Sequence, residues 1–144
     1  MSQSFQYQKV DERISEEFRQ RIQQNIETAQ NENFKSKILE HIPAVLITIN
    51  LERAVFEQAL LFRNYIMNYL ESDHKNFILD FSETIFLDST FLGSVIFFYK
   101  KVNSIGGTVR LVVNAERMTL LSQINNFSDI IETFASVDES IVNL

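Results

Sequence analysis

The stretch that decides the fold is "NFILDFSETIFLDSTFLGSVIFFYKKVNSIGGTVRLVVN", residues 76–114. Its opening residues, 76–82, are mostly apolar and aromatic, which predicts a buried strand. The next segment opens on an acid and a hydroxyl, carries apolar residues at helical spacing and closes on a glycine pair, so it predicts a helix over residues 88–107. A second β-branched run, residues 108–114, predicts another strand. A strand, helix and strand in this order predict two parallel strands joined by a covering helix.

The segments on either side continue the same alternation of strands and helices. The predicted elements are a strand at 44–50, a helix within 52–72, a helix at 115–126, an extended segment at 129–135 and a short final helix at 137–144. The sequence therefore predicts an α/β fold, with a sheet of about four to five mostly parallel strands covered by helices.

The first 43 residues differ in composition from the rest of the chain. Residues 13–33 are rich in Glu, Gln and Arg without Gly or Pro, which predicts an additional N-terminal helix, and residues 4–10 could form a short edge strand before it. The single proline, Pro43, marks the predicted boundary between an N-terminal helical extension, 1–43, and the α/β domain, 44–144. The helix has a narrow apolar stripe, which either lies on the domain or pairs with a second copy of the chain. The stripe consists of Ile14, Phe18, Ile22, Ile26 and Ala29.

Composition excludes several classes of function. A chain of 144 residues with 45% hydrophobic content can bury one sizeable core. Without cysteine it has neither disulfides nor a thiolate metal site, and no metal or cofactor is expected. A formal net charge of -6 disfavours direct contact with nucleic acid. No apolar run is long enough to span a bilayer and no basic-then-apolar leader opens the chain, so we expect a cytoplasmic protein without membrane contact.

Ser89 is the most informative candidate site residue, and three roles are open to it: helix cap, nucleophile, or acceptor of a group transferred by another protein. The end of the helix beside it offers unpaired N–H groups that suit an anion. A nucleophile would need a base, yet the two histidines, His41 and His74, each precede a strand and so fall at the opposite edge of a parallel sheet. With three glycines in the chain there is also no nucleotide-binding glycine loop, and we expect no enzymatic activity.

The strand ending in Asp80, followed by "DSTFLG" from Asp88 to Gly93, resembles the hallmark of the STAS domain family, which includes the anti-sigma factor antagonists. The later glycine pair, the strand at 111–113 and the helix at 114–127 follow in family order, so the resemblance covers roughly residues 44–144. Two features depart from the family pattern: Phe91 replaces a glycine, and "NLERA" at 50–54 replaces a Gly-x-Asp signature.

The resemblance implies a partner-switching regulator of transcription. By carry-over from the family, Ser89 is the phosphoacceptor for an anti-sigma factor with serine kinase activity, and a serine phosphatase resets it. Asp88 and Thr90 would support the phosphorylation site. Phosphorylation adds about -1.5 to -2 charge, which would repel a partner shaped for the free hydroxyl. The alternative is a STAS scaffold that is never phosphorylated and assembles through protein contacts, including a homodimer through the N-terminal helix.

A helical wheel over residues 91–102 predicts which side of the helix meets the partner. Most of its apolar residues, Phe91 among them, fall on the side that packs on the sheet, whereas Ser94, Phe97 and Lys101 fall on the solvent side. We therefore predict that these three residues form the partner-binding surface beside Ser89, and Phe91, in the first turn, is included as a residue that shapes access to it.

Overall fold

The chain folds as a five-stranded sheet with two long helices on one face. The computed structural model describes residues 15–25, 27–28, 32–118 and 130–144. Within them the strands are β1 (Phe34–Ile38), β2 (Val45–Ile49), β3 (Arg53–Ala54), β4 (Asn76–Phe81), β5 (Phe86–Leu87), β6 (Thr108–Val113) and β7 (Glu132–Phe134). The helices are α1 (Phe56–Leu70), α2 (Ser89–Ser104) and the short α3 (Val137–Ser140). Residues 15–25 are also helical.

The main sheet has the order β1-β2-β4-β6-β7. The pairs β2–β4, β4–β6 and β6–β7 are parallel, and only β1 runs antiparallel to its neighbour. This confirms the predicted α/β fold with a mostly parallel sheet. The chain runs from β4 through β5 and α2 to β6, which agrees with the predicted strand, helix and strand order.

The core lies between one face of the sheet and the helices α1 and α2. Alternate residues of β2, β4 and β6 point into it, as the two-residue period of a strand requires. Phe62 of α1 stacks on Phe91 of α2 with ring centroids 4.8 Å apart, and Phe98 of α2 meets Phe77 of β4 edge-on. The aromatic residues thus join both helices to the sheet.

The opposite face of the sheet is covered in part by the C-terminal segment. Arg110 of β6 points away from the core and donates hydrogen bonds to the carbonyl oxygens of Ser140 and Val142, at 2.8 and 2.7 Å. These bonds hold α3 and the turn after it against the sheet.

Several predicted elements differ in the structure. Residues 34–38, predicted within the N-terminal helical extension, form β1, because Phe34 inserts into the core and the backbone pairs with β2. The helix predicted within 52–72 begins only at Phe56, after the two-residue strand β3. Residues 115–117 form a turn where a helix was expected to begin. Met118 follows this turn and is buried in the core. Residues 119–126 of that predicted helix, the proposed strand at 4–10, and the stripe residues Ile14, Ile26 and Ala29 lie outside the described residues.

Candidate functional site

The candidate site lies where two short parallel strands, β3 and β5, are each followed by a helix. β3 and β5 pair in parallel, with Arg53 opposite Phe86 and Ala54 opposite Leu87. The amide of Asp88 continues the pairing by donating to the carbonyl oxygen of Ala54 at 3.0 Å. Because the strands are in register, α1 and α2 begin at the same level and run side by side.

Asp88 caps both of these helices with one carboxylate. Its Oδ1 accepts the amide of Phe91 in the first turn of α2, and its Oδ2 accepts the amide of Phe56, the first residue of α1, both at 2.8 Å. The residue that precedes α1 is Val55, which has no polar atom in its side chain with which to cap the helix. The Gln58 side chain of α1 accepts the Val55 amide at 3.2 Å, but the Phe56 amide is capped by Asp88, which thereby joins the starts of the two helices.

Ser89 and Thr90 lie on the open surface directly after this double cap. Both side chains are exposed, and the Ser89 hydroxyl makes no hydrogen bond to any part of the chain that the structure describes. Ser89 is the first residue of α2, so its position is fixed by the cap while its oxygen stays accessible. The structure brings together Asp88, Ser89 and Thr90, which the sequence singled out.

A shallow groove of about 350 Å³ runs between α1 and α2 from this point. Its α1 side carries two strongly exposed apolar side chains, Phe56 at 63% and Leu60 at 66%. Gly93 opens the α2 side, since a Cβ there would meet nothing within 4 Å. The lining is completed by Ala59, Arg63, Ser89, Thr90 and Ser94.

Sequence reasoning missed the α1 half of this groove. The helical spacing that predicts a helix within 52–72 does not separate Leu60 and Arg63 from the buried residues Ala59, Phe62 and Ile66. Phe56, Leu60 and Arg63 form a second stripe at spacings of four and three residues, on a neighbouring side of the helix. Separating the two stripes on a helical wheel would have revealed a second apolar face on α1.

Two of the residues expected beside Ser89 are buried. Ser94 is only 4% exposed and its hydroxyl turns back to the Thr90 carbonyl oxygen, so its predicted place on the solvent side is wrong. The reason is that α2 packs against α1 as well as the sheet, which buries a wider arc than a single apolar face. Phe91 is fully buried against Phe62 and Phe81, so it belongs to the core and is not available for direct contact with a partner.

Phe97 and Lys101 lie further along α2, and Phe97 is half-buried where a solvent position was expected. The guanidinium carbon of Arg63 lies 4.4 Å from the centroid of the Phe97 ring, and the Nζ of Lys101 lies 5.5 Å from it. Phe97 is therefore covered by two cations, one from each helix. Lys101 itself is exposed.

Both histidines of the chain lie far from Ser89. His41 and His74 precede the parallel strands β2 and β4, and β4 alone rises about 20 Å at about 3.3 Å per residue. They lie at the amino end of the sheet, whereas Ser89 follows its carboxyl end. Among the described residues no three His, Cys, Asp or Glu side chains are grouped to hold a metal ion. Nor does the described part of the chain contain a helix with the length and apolarity needed to cross a membrane.

Comparison with known proteins gives a consistent result. The family model of the STAS domain matches residues 9–140. A relative from Thermotoga neapolitana, provisionally named an anti-sigma factor antagonist, is 28% identical over 109 residues, which cover 75% of this chain and 94% of the relative.

Solved structures share the fold. A crystal structure of a provisionally named anti-sigma factor antagonist from Thermotoga maritima matches with a TM-score of 0.66 at 24% identity, covering 74% of this chain and 90% of that one. Two similar structures are of SpoIIAA. One shows this anti-sigma factor antagonist in its unphosphorylated form, and the other shows the Bacillus protein in its phosphorylated form. The unphosphorylated form matches with a TM-score of 0.61 at 16% identity, covering 75% of this chain and 92% of that one.

Proposed function

The chain belongs to the STAS domain family, and we propose that it is an anti-sigma factor antagonist controlled by phosphorylation of Ser89. In this proposal the unmodified chain binds an anti-sigma factor with serine kinase activity, which releases the sigma factor. The kinase transfers the γ-phosphoryl group of ATP to the Ser89 Oγ, with loss of the hydroxyl proton and release of ADP. A serine phosphatase hydrolyses the phosphoester and restores binding.

The observation that supports this proposal best is the position of Ser89. Its hydroxyl is exposed at the mouth of the groove between α1 and α2, while both oxygens of the adjacent Asp88 are occupied by helix amides. Asp88 thus holds the backbone in place and does not act on the hydroxyl. A kinase can reach Ser89, and a phosphoryl group there would place about -1.5 to -2 charge at the edge of an apolar surface.

The surface next to Ser89 is suited to protein contact. Phe56 and Leu60 form an exposed apolar patch, and such a patch is typical of a site of protein–protein contact. Phe97 and Lys101 extend this surface along α2. No contact with nucleic acid or membrane is part of the proposal.

The test compares the wild type with Ser89→Ala, Ser89→Asp and the control Thr90→Ala. Incubation with the cognate kinase and ATP is expected to add one phosphoryl group to the wild type and Thr90→Ala, measured by intact mass, and none to Ser89→Ala. By calorimetry, Ser89→Asp is expected to weaken kinase binding by about 1 to 3 kcal/mol, since it places a charge in a packed interface. Phosphorylation at another residue, or equal affinity of wild type and Ser89→Asp, would contradict the proposal.

A second candidate function, an assembly module, is favoured by the N-terminal helical residues. Phe18 is 59% exposed and Ile22 is 41% exposed, one turn apart on the same side of the helix. In this alternative the chain acts as a scaffold that forms a homodimer through this helix and is not phosphorylated.

The double variant Phe18→Ser and Ile22→Ser tests this alternative in the full chain. Light scattering is expected to show a dimer for the wild type and a monomer for the variant. A monomeric wild type rules the dimer out. Deleting residues 1–40 is a poor test, because it would also remove β1 and the buried Phe34 from the sheet.

A further inference from the structure

Arg63 occupies an unusual position in the groove that begins at Ser89. It is the only charged side chain among the eight described residues that line the groove. Its Nε is buried and has no hydrogen-bond partner in the part of the chain that the structure describes. A buried donor without an acceptor is destabilising, so Arg63 is a cation with unused hydrogen-bonding capacity.

The contact that Arg63 does make is a weak one for an arginine. Its guanidinium lies over the Phe97 ring at 4.4 Å. The π-face of the half-buried ring attracts the cation, but the ring accepts none of the N–H groups in the plane of the guanidinium. An oxyanion bound by two parallel N–H groups is a stronger partner for the same side chain.

Ser89 and Arg63 line the same groove between the two helices. Because α1 and α2 start level, Ser89 is the neighbour of Phe56, and Arg63 lies seven residues further along α1. At about 1.5 Å per residue this is about 10 Å along the helix axis. Side chains on a helix lean toward its N-terminus, so the Arg63 side chain, once it leaves the Phe97 ring, can extend along the groove toward Ser89. Gly93 leaves the groove open on its α2 side between these two residues.

We infer that Arg63 is the internal receptor for the phosphoryl group on Ser89. On phosphorylation the guanidinium leaves the Phe97 ring, moves along the groove and pairs with the phosphate through Nε and a terminal nitrogen. The pairing draws the phosphate over the groove and uncovers one face of Phe97. The modified site thus differs in shape as well as charge, because the apolar groove between Phe56 and Gly93 becomes occupied. This inference rests on the proposed phosphorylation of Ser89.

The experiment installs phosphoserine at position 89 by genetic code expansion, so that no kinase is needed. A phosphate NMR titration then measures the second pKa of the phosphoserine, which is about 6 in an isolated residue. We expect the wild type to titrate about half a unit or more lower, because an adjacent cation favours the dianion. Arg63→Gln is expected to reduce this shift to the part that the N-terminus of α2 causes. Lys101→Gln is the matched control, since Lys101 also packs on Phe97 but does not line the groove, and it is expected to retain the shift.

A second measurement needs no variant. The Nε–H resonance of Arg63 and the ring resonances of Phe97 are compared in the phosphorylated and unmodified wild type, and both are expected to shift. Equal phosphate pKa values in the wild type and Arg63→Gln, an equal effect of Lys101→Gln, or an unchanged Nε–H resonance would overturn the inference. If the kinase fails to modify Ser89, the proposed function is refuted, whereas the titration still reports on Arg63 alone.

Discussion

Replacing Asp88 with alanine is expected to destabilise two helices at once. The carboxylate accepts one amide from α1 and one from α2, both at 2.8 Å. Loss of an N-cap costs typically about 1 kcal/mol, so losing both is expected to lower the free energy of unfolding by about 2 kcal/mol. With a urea m-value of about 2 kcal/mol per molar, the midpoint of unfolding would fall by about 1 M.

Two variants calibrate this number. Ser136→Ala removes a single cap, because the Ser136 hydroxyl accepts the amide of Glu139 at the start of α3, and it is expected to cost about half as much. Asp88→Ser keeps one acceptor, which can cap α2 through the Phe91 amide but is too short to serve α1 as well. It is also expected to lose about half.

Urea unfolding followed by circular dichroism gives the free energies, and amide hydrogen exchange locates the loss. In Asp88→Ala the amides of Phe56 and Phe91 are both expected to exchange faster, whereas in Asp88→Ser only that of Phe56 is. If Asp88→Ala costs no more than Ser136→Ala, or leaves the Phe56 amide protected, the double cap does not contribute as the geometry implies.

Three further predictions concern single side chains. Phe97→Ala is expected to lower the free energy of unfolding by about 1 to 2 kcal/mol, because the ring is half-buried under a guanidinium. The matched change Phe98→Ala is expected to cost about 3 kcal/mol or more, because Phe98 is fully buried. Equal losses would place Phe97 in the core. Gly93→Ala is expected to raise the free energy of unfolding by about 0.5 to 1 kcal/mol in urea unfolding, since its Cβ meets open space within a helix. Gly107→Ala is the control and is expected to destabilise the fold, because its Cβ would clash with the backbone carbonyl oxygen of Lys75. A destabilised Gly93→Ala would show that the groove is tighter than described. Burial raises the pKa of Tyr65 to about 12 from 10.0. The folded chain therefore holds the phenolic proton more tightly than the unfolded chain. The contribution of this proton to stability is present below pH 10 and is lost between pH 10 and 12. The free energy of unfolding of the wild type is expected to fall relative to that of Tyr65→Phe across this range, by on the order of 1 kcal/mol after allowance for solvent screening. A difference between the two that stays constant with pH in urea unfolding would contradict the assigned cause.

The sequence by itself determined the central strand, helix and strand unit and the place of the candidate site. The apolar runs of β4 and β6 and the helical spacing of α2 are local patterns, and an acid followed by a serine marks a helix start whatever surrounds it. The resemblance to the STAS family rests on the same residues. For these elements, local propensity and the final tertiary structure favour the same conformation.

Only the tertiary structure decided how the site is assembled. Two residues cannot signal a strand alone, so β3 and β5 exist because each supplies the hydrogen-bonding partner of the other from more than thirty residues away. The second cap made by Asp88 depends on that pairing, and so does the groove that α1 shares with α2. Ser94 is buried for a related reason: a helical wheel identifies the most apolar face of a helix, whereas packing against two neighbours buries the positions between them as well.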